Sequence, residues 1–284
     1  MSLHDETRLI DEAKQLFADS RTFSWNLVST RLTQFPYFDE VLGHPEWKGR
    51  KILDFGGNVG TFLESAGDKV DHEDYWCIDI NRAVIEHGRL TYPRAHFVHF
   101  NRYSSQYNPH GIRNLAIPDC GGVKFDFILA FSVFTHVDVN EMVETVGALR
   151  RMLSRAGVLA FTFFDPQYDR SLSAPAQPRG MTVLRNLGPR GKSEMVKRAR
   201  WFVIIDNRLY VEPGNLVCHQ TREGKALESY TSFFKSDYME ELFPGATVHP
   251  PVCREWQHCC VVSTDYADCT EKSAKSAKSV DDKR

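Results

Sequence analysis

The chain predicts an α/β fold, and three features predict it. Between Lys51 and Phe164, short apolar runs of strand length alternate with stretches of helical period. A glycine-rich turn, Gly56-Gly57-Asn58-Val59-Gly60, separates the first apolar run from the helix that follows it. An acid, Asp79, closes the second apolar run.

The first element is Ile52-Leu-Asp-Phe55, an apolar run carrying one acid, Asp54, that reads as a buried strand. Gly56 and Gly57 let the backbone turn sharply and let a ligand approach where a Cβ would obstruct it. From Val59 the apolar spacing becomes helical, with Phe62 and Leu63 facing a core. Strand, turn and helix N-terminus together aim backbone N–H groups at a ligand of nucleotide type. A dinucleotide fingerprint requires G-x-G-x-x-G, and the order here does not supply it, which counts against hydride transfer. Tyr75-Trp-Cys-Ile-Asp79-Ile80 is the second strand, and Asn81 caps a helix running to Arg89. An acid at the end of strand two, roughly 20 residues past the glycine turn, is the ribose position of nucleotide-binding α/β folds. Asp79 stands there in both spacing and context.

His96-Phe-Val-His-Phe100 forms a third strand, ended by Asn101. Residues 102–122 are turn-forming, and loops this long in a compact domain are more often functional than idle. Tyr103, Tyr107 and His110 are candidates to line a pocket, with a solvent-facing role as the alternative. Phe125-Asp-Phe-Ile-Leu-Ala-Phe-Ser132 reads as a strand covered on both faces, leading into Val133-Phe-Thr-His136. An amphipathic helix over 139–154 and a fifth strand, Val158–Phe164, follow. The alternation then stops. Residues 166–230 read as an insertion with a hairpin pairing Trp201–Ile205 with Arg208–Val211, and with a basic cluster (Arg185, Arg190, Lys192, Lys197, Arg198, Arg200). That cluster is a solvated face, or a dock for an acidic or carrier-bound substrate. A helix at 236–243, a strand at Thr247-Val248 and a last strand over Gln257–Val262 complete the pattern.

Before the glycine turn, residues 5–18 carry one apolar helical stripe, and residues 22–46 are aromatic-rich and interrupted by Pro36. This segment is expected to cap the domain, over a ligand or packed on the sheet. The tail beyond 264, with its Ser-Ala-Lys repeat, has the composition of a disordered segment. The 35 basic and 37 acidic residues give a net charge of −2, which argues against a general nucleic-acid binder. No apolar run is long enough to span a membrane. The N-terminus lacks the charge and apolar pattern of a signal peptide. Seven cysteines with no C-x-x-C pair suit a reducing compartment, so a cytoplasmic location is expected. No His/Cys/Asp spacing reads as a metal site.

Leu53, Asp54, Gly56 and Gly60 resemble motif I, L-D-x-G-x-G-x-G, of the class I S-adenosylmethionine-dependent methyltransferases. Asn58 replaces the middle glycine. Asn tolerates a left-handed backbone best after Gly, so the turn is expected to survive the exchange. Residues 125–137 resemble motif IV of the small-molecule members and not the Asn-Pro-Pro-Tyr form used on exocyclic base or side-chain amide nitrogens. The resemblance covers about 50–165 and 235–264. It implies a Rossmann-like, seven-stranded, mostly parallel sheet with an antiparallel last strand and helices on both faces. The domain plan is then a helical cap (1–48), a core (49–165 and 231–264), a lid or substrate wall (166–230) and a tail (265–284). The cofactor implied is S-adenosyl-L-methionine, leaving as S-adenosyl-L-homocysteine. The binding set carried over is Asp54, Gly56, Gly57, Asn58, Gly60, Asp79, Ile80, Asn101, Phe131 and Ser132.

The acceptor implied is a small molecule of specialised metabolism, methylated on oxygen in preference to nitrogen or carbon. An oxygen nucleophile needs a proton acceptor, and His136 lies just past strand four, at the edge where parallel α/β sheets bind ligands. Trp256 and His258 reach the same edge if the last strand is antiparallel. A capping or core imidazole is the alternative role for His136. A nicotinamide-dependent oxidoreductase and a non-catalytic cofactor- or partner-binding protein are the competing functions.

Overall fold

A computed structural model describes residues 33–167, 199–206, 208–212, 230–253 and 255–264. The helical stripe at 5–18, the basic cluster apart from Arg200, and the tail lie outside the described residues. Helix α1, Gln34–Val41, opens the described chain. Pro36 sits in its first turn, where no intrahelical N–H is required, so it helps start a helix that it was expected to interrupt.

Strands β1 (Ile52–Phe55), β2 (Tyr75–Asp79), β3 (His96–His99) and β4 (Phe125–Ala130) alternate with helices α2 (Thr61–Ala66) and α3 (Arg82–Thr91). Helix α4 (Val139–Arg150) precedes a long β5, Leu153–Phe163. The helix ends four residues before its expected end, because β5 begins at Leu153 beside Phe125. Asn81 caps α3 by accepting from the Ala83 N–H, and Asp138 caps α4 by accepting from the Glu141 N–H. Both caps agree with the sequence.

After β5 come β6 (Trp201–Ile205), β7 (Arg208–Val211), β8 (Tyr230–Phe234), α5 (Ser236–Leu242), β9 (Thr247–His249) and β10 (His258–Ser263). The main sheet has the order β3-β2-β1-β4-β5-β10-β9. Strands β1 to β5 pair in parallel, and β10 is antiparallel to both of its neighbours. This is the expected sheet, with its antiparallel member at the expected place.

Alternation along β1 feeds two cores. Leu53 and Phe55 join one face with Ile128, Phe161 and Cys260, while Ile52 joins the other with Leu129, Ala160 and Cys259. On that second face α1 buries Phe35, Tyr37, Phe38 and Val41 against Phe62 and Phe131. For this part of the N-terminal segment, packing on the sheet is what is seen. The expected hairpin forms, and β8 adds a third strand to it in the order β7-β6-β8. The small sheet is not detached. Trp201, Val203, Ile205, Tyr230 and Phe234 enter the first core, and the Phe234 N–H donates to the Phe164 carbonyl at 2.9 Å.

Phe38 is fully buried between Tyr37, Phe62 and Phe131. Phe38→Ala is expected to cost about 3–5 kcal/mol of stability, read by urea denaturation. Leu90→Ser, at a position 40% exposed, is expected to stay within about 0.5 kcal/mol.

Candidate active site

The site is built where β1, β2 and β4 end together, because their parallel register aligns Phe55 with Ile78 and Asp54 with both Cys77 and Leu129. Three residues of the turn after β1 have positive φ: Gly56 at 77°, Asn58 at 55° and Gly60 at 89°. Asn58 therefore takes the left-handed conformation expected of it. The Asn58 N–H donates to Asp79 Oδ2 at 3.0 Å, and the Asn81 N–H donates to Asp79 Oδ1 at 2.8 Å. The acid at the end of β2 thus braces the turn after β1 and stands beside it. Each oxygen keeps further lone pairs, which suits a vicinal diol.

Asp54 is enclosed by protein. It is 1% exposed, lies beneath the turn, and accepts from the Tyr75 hydroxyl at 2.6 Å through Oδ2. Burial pushes its carboxyl up to about 7, against the lowering effect of the Tyr75 bond. A Cβ on Gly57 would overlap the Asp54 carboxylate, and one on Gly56 would overlap Val133 Cγ2. Both glycines are therefore required by packing from the protein side, in addition to any approach by a ligand. Asp54 was expected among the cofactor contacts; its carboxylate supports the turn from below.

The remaining expected residues divide. Ile80 follows Asp79, and its carbonyl lies 3.3 Å from His99 Nε2. Asn101 is exposed past the end of β3, its amide oxygen accepting from Asn108 Nδ2 at 3.0 Å. The Phe131 ring packs nearly at right angles to those of Tyr37 and Phe38, at 5.6 and 6.1 Å. Ser132 has φ 60°, and its N–H donates to Thr162 Oγ1 at 2.7 Å. Its hydroxyl accepts from Gln257 Nε2 at 3.1 Å. Gln257 in turn accepts from the Thr162 hydroxyl, and its carbonyl accepts from the Tyr37 hydroxyl at 2.7 Å. The side chains of Phe131 and Ser132 thus tie β4 to α1, β5 and the start of β10. Tyr75, Thr162 and Gln257 carried no motif by which to find them.

His136 lies in a short 3₁₀ turn after β4, as expected. Its Nδ1 is 2.7 Å from the Tyr230 carbonyl, an acceptor only, so Nδ1 carries the hydrogen. Nε2 of the neutral ring is then an acceptor, and the Tyr107 hydroxyl donates to it across 3.2 Å. Burial holds the imidazole down at about 4, opposed by its bond to the Tyr230 carbonyl. At neutral pH the ring is therefore uncharged with one defined tautomer. Tyr107 was a pocket candidate, but its pairing with His136 was not foreseen. Tyr103 lies under the Arg113 guanidinium at 3.8 Å, and His110 is exposed. His258 pairs with Phe163 at the end of β5, which puts it at the expected edge, and Trp256 packs beside Phe164 and Phe233. Among the described residues no group of His, Cys, Asp and Glu has the arrangement of a metal site, and no helix is long and apolar enough to cross a membrane. A cleft of about 360 Å³ between Lys48, Asp71, Glu73 and Arg94 lies at the amino ends of the strands, away from all of these groups.

Residues 53–159 match the family model described as a methyltransferase domain. Over these residues the chain is a methyltransferase domain. S-adenosylmethionine is the cofactor of the methyltransferase domain. A search of curated proteins finds no match. Solved structures similar to the chain include a candidate O-methyltransferase of Nostoc punctiforme, at 14% identity and TM-score 0.44, covering 82% of this chain and 56% of that one. The chain thus spans just over half the length of that protein. An S-adenosylmethionine-dependent methyltransferase of Clostridium acetobutylicum overlaps at 12% identity and TM-score 0.45, covering 92% and 99%. Magnesium protoporphyrin IX methyltransferase of Synechocystis, crystallised with bound S-adenosylhomocysteine, overlaps at 12% identity and TM-score 0.45, covering 89% and 93%.

The donor set at the turn fits the cofactor: Asp79 would take the ribose hydroxyls, with the turn 56–60 alongside. Asp79→Ala is expected to weaken S-adenosylhomocysteine binding by about 1.5–3 kcal/mol in calorimetric titration, the scale of hydrogen bonds to a charged group. The affinity should also depend on pH. Burial raises Asp79 to about 6, against three lowering backbone bonds. A carboxyl raised on folding stabilises the unliganded protein at low pH, and that contribution is lost as pH rises through the folded value near 6. Diol binding wants the ionised form, so affinity should rise over the same interval. Titration at pH 5 is expected to give about tenfold weaker binding than at pH 7.5, from the ionised fraction of a group titrating near 6. An affinity independent of pH over this interval would mean that Asp79 is already ionised at pH 5.

Proposed function

We propose that the chain catalyses S-adenosylmethionine-dependent methyl transfer to a hydroxyl group of a small molecule. The observation that carries the oxygen preference is His136, a neutral imidazole of fixed tautomer at the ligand edge of the sheet, after the strand next to the glycine turn. When bound, S-adenosylmethionine supplies an electrophilic methyl group on a positively charged sulfur. The protein's part is to hold the acceptor in line with that methyl, a near-attack placement that can supply about 7–11 kcal/mol in favourable cases. It must also receive the hydroxyl proton. A neutral imidazole can take that proton, and a protonated one cannot. A small-molecule acceptor is further supported by the insertion sheet, which stands on the carboxyl side of β5 and meets the His136 turn through β8. The Ser232 hydroxyl donates to the Val137 carbonyl, a second tie between the insertion and that turn. Specialised metabolism and a cytoplasmic location are part of this reading, as is a carrier-bound or acidic acceptor for the basic insertion.

The test has two stages. Calorimetry with S-adenosylmethionine, S-adenosylhomocysteine and NAD is expected to show binding of the first two only. Purified protein is then offered simple phenols and primary alcohols, and S-adenosylhomocysteine release is measured against amine and thiol acceptors. With a hydroxyl acceptor in hand, His136→Asn is expected to lower kcat about 10²–10⁴-fold, the range of general-base catalysis, and to leave S-adenosylhomocysteine affinity unchanged. Near-normal turnover in this variant would make His136 structural.

A further inference from the structure

Both ring nitrogens of His136 are engaged within the protein, Nδ1 by the Tyr230 carbonyl and Nε2 by the Tyr107 hydroxyl. A neutral imidazole has one donor and one acceptor, so neither is left for an acceptor molecule. The Tyr107 hydroxyl has spent only its donor and keeps its oxygen lone pairs. Resting on the hydroxyl reading above, we propose that Tyr107 is the residue that touches the acceptor hydroxyl and passes its proton to His136, the two side chains forming one relay.

The loop carrying Tyr107 is held for this. The Ser104 and Asn108 backbones exchange hydrogen bonds at 3.0 and 3.1 Å around it, and Asn108 Nδ2 donates to the Arg102 carbonyl at 2.9 Å. Gln106 Oε1 accepts from the Tyr230 N–H at 3.2 Å, while the Tyr230 carbonyl accepts from His136. One residue of β8 therefore fixes both partners, the loop through its N–H and the imidazole through its carbonyl. The two rings meet edge to face at 5.0 Å and 85°. Tyr107 as a whole is half-buried. Burial, with the charge of Asp79 second, pushes the Tyr107 phenol above its ordinary range, so it stays protonated at rest.

The step balances without a further reactant. The acceptor O–H bond breaks and its proton goes to Tyr107 Oη, as the proton already on Oη moves to His136 Nε2. The acceptor oxygen bonds the methyl carbon, and the electron pair of the broken S–C bond returns to sulfur. The positive charge leaves the sulfonium of S-adenosylmethionine and reappears on the imidazolium.

The experiment compares Tyr107→Phe, His136→Asn and the double variant with a phenol or alcohol that the wild type methylates. The relay predicts that Tyr107→Phe lowers kcat by at least about 100-fold, as His136→Asn does, with the double variant no worse than either, since groups acting as one unit are not additive. S-adenosylhomocysteine affinity should stay within twofold. A Tyr107→Phe enzyme that keeps kcat within threefold, or a double variant whose losses multiply, would overturn the relay. A wild type that turns over no hydroxyl acceptor would instead refute the hydroxyl reading. In that event the pairing is judged by ¹⁵N-detected imidazole spectra of the full chain at pH 7, with His136 assigned by its absence in His136→Asn. Loss of the Tyr107 bond should move the Nε2 resonance downfield, as expected for a ring nitrogen that no longer accepts. An unmoved Nε2 resonance would dismiss the pair.

Discussion

A buried acid under a glycine governs the ligand edge of this protein. Asp54 sits 1% exposed at the third position of β1 and is held by the Tyr75 hydroxyl at 2.6 Å. Such a group is costly to bury unless bonded, and the Tyr75 bond from the neighbouring strand supplies the partner. The carboxylate and the Cys77 thiol fill the space where a Cβ of Gly57 would stand. The backbone can therefore lie directly on the sheet, and it reaches Asp79 through the Asn58 N–H. Acid, glycine, asparagine and acid form one unit across two strands.

A second set of bonds brings distant chain to the same edge. The insertion reaches the His136 turn through the Tyr230 carbonyl and the Ser232 hydroxyl. The end of β4 reaches β5 and the start of β10 through Ser132, Thr162 and Gln257. Arg102, at the root of the long loop, donates to the Leu115 carbonyl and to Glu144 on α4. Glu141 completes this latch beside Arg102, and burial raises its carboxyl to about 7 against the opposing effect of the guanidinium. Each tie spans elements far apart in sequence. The His136 turn is thus tied to loop and insertion, beside a glycine turn that the first two strands define.

Much of the fold and the position of the candidate site in it were legible in the chain, for local reasons. Apolar runs of strand length, the caps Asn81 and Asp138, the left-handed Asn58 and the acid closing β2 are each dictated by propensity, backbone sterics or short-range spacing. Parallel pairing then places the ends of β1, β2 and β4 together, so Asp79 and His136 could be assigned to one edge before any side chain was placed. Pro36 was misjudged because a proline in the first turn of a helix and one that breaks a helix differ only in where the helix starts.

Only the tertiary structure decided which way the polar groups point and what they bond. Asp54 turns inward because Tyr75 on β2 offers its hydroxyl, and no spacing within β1 encodes that. Phe131 and Ser132 are spent on α1, β5 and the residue before β10 because those partners lie more than 30 positions away or on another strand. The tautomer of His136 is set by a carbonyl 94 residues downstream, and its lone pair is covered by a tyrosine 29 residues upstream. The sequence by itself determined the sheet, the turn and the edge, since those follow from local conformation and alternation. The donor and acceptor state of each group at that edge came from folding, because a hydrogen bond is decided by the atom brought opposite, whatever its place in the chain.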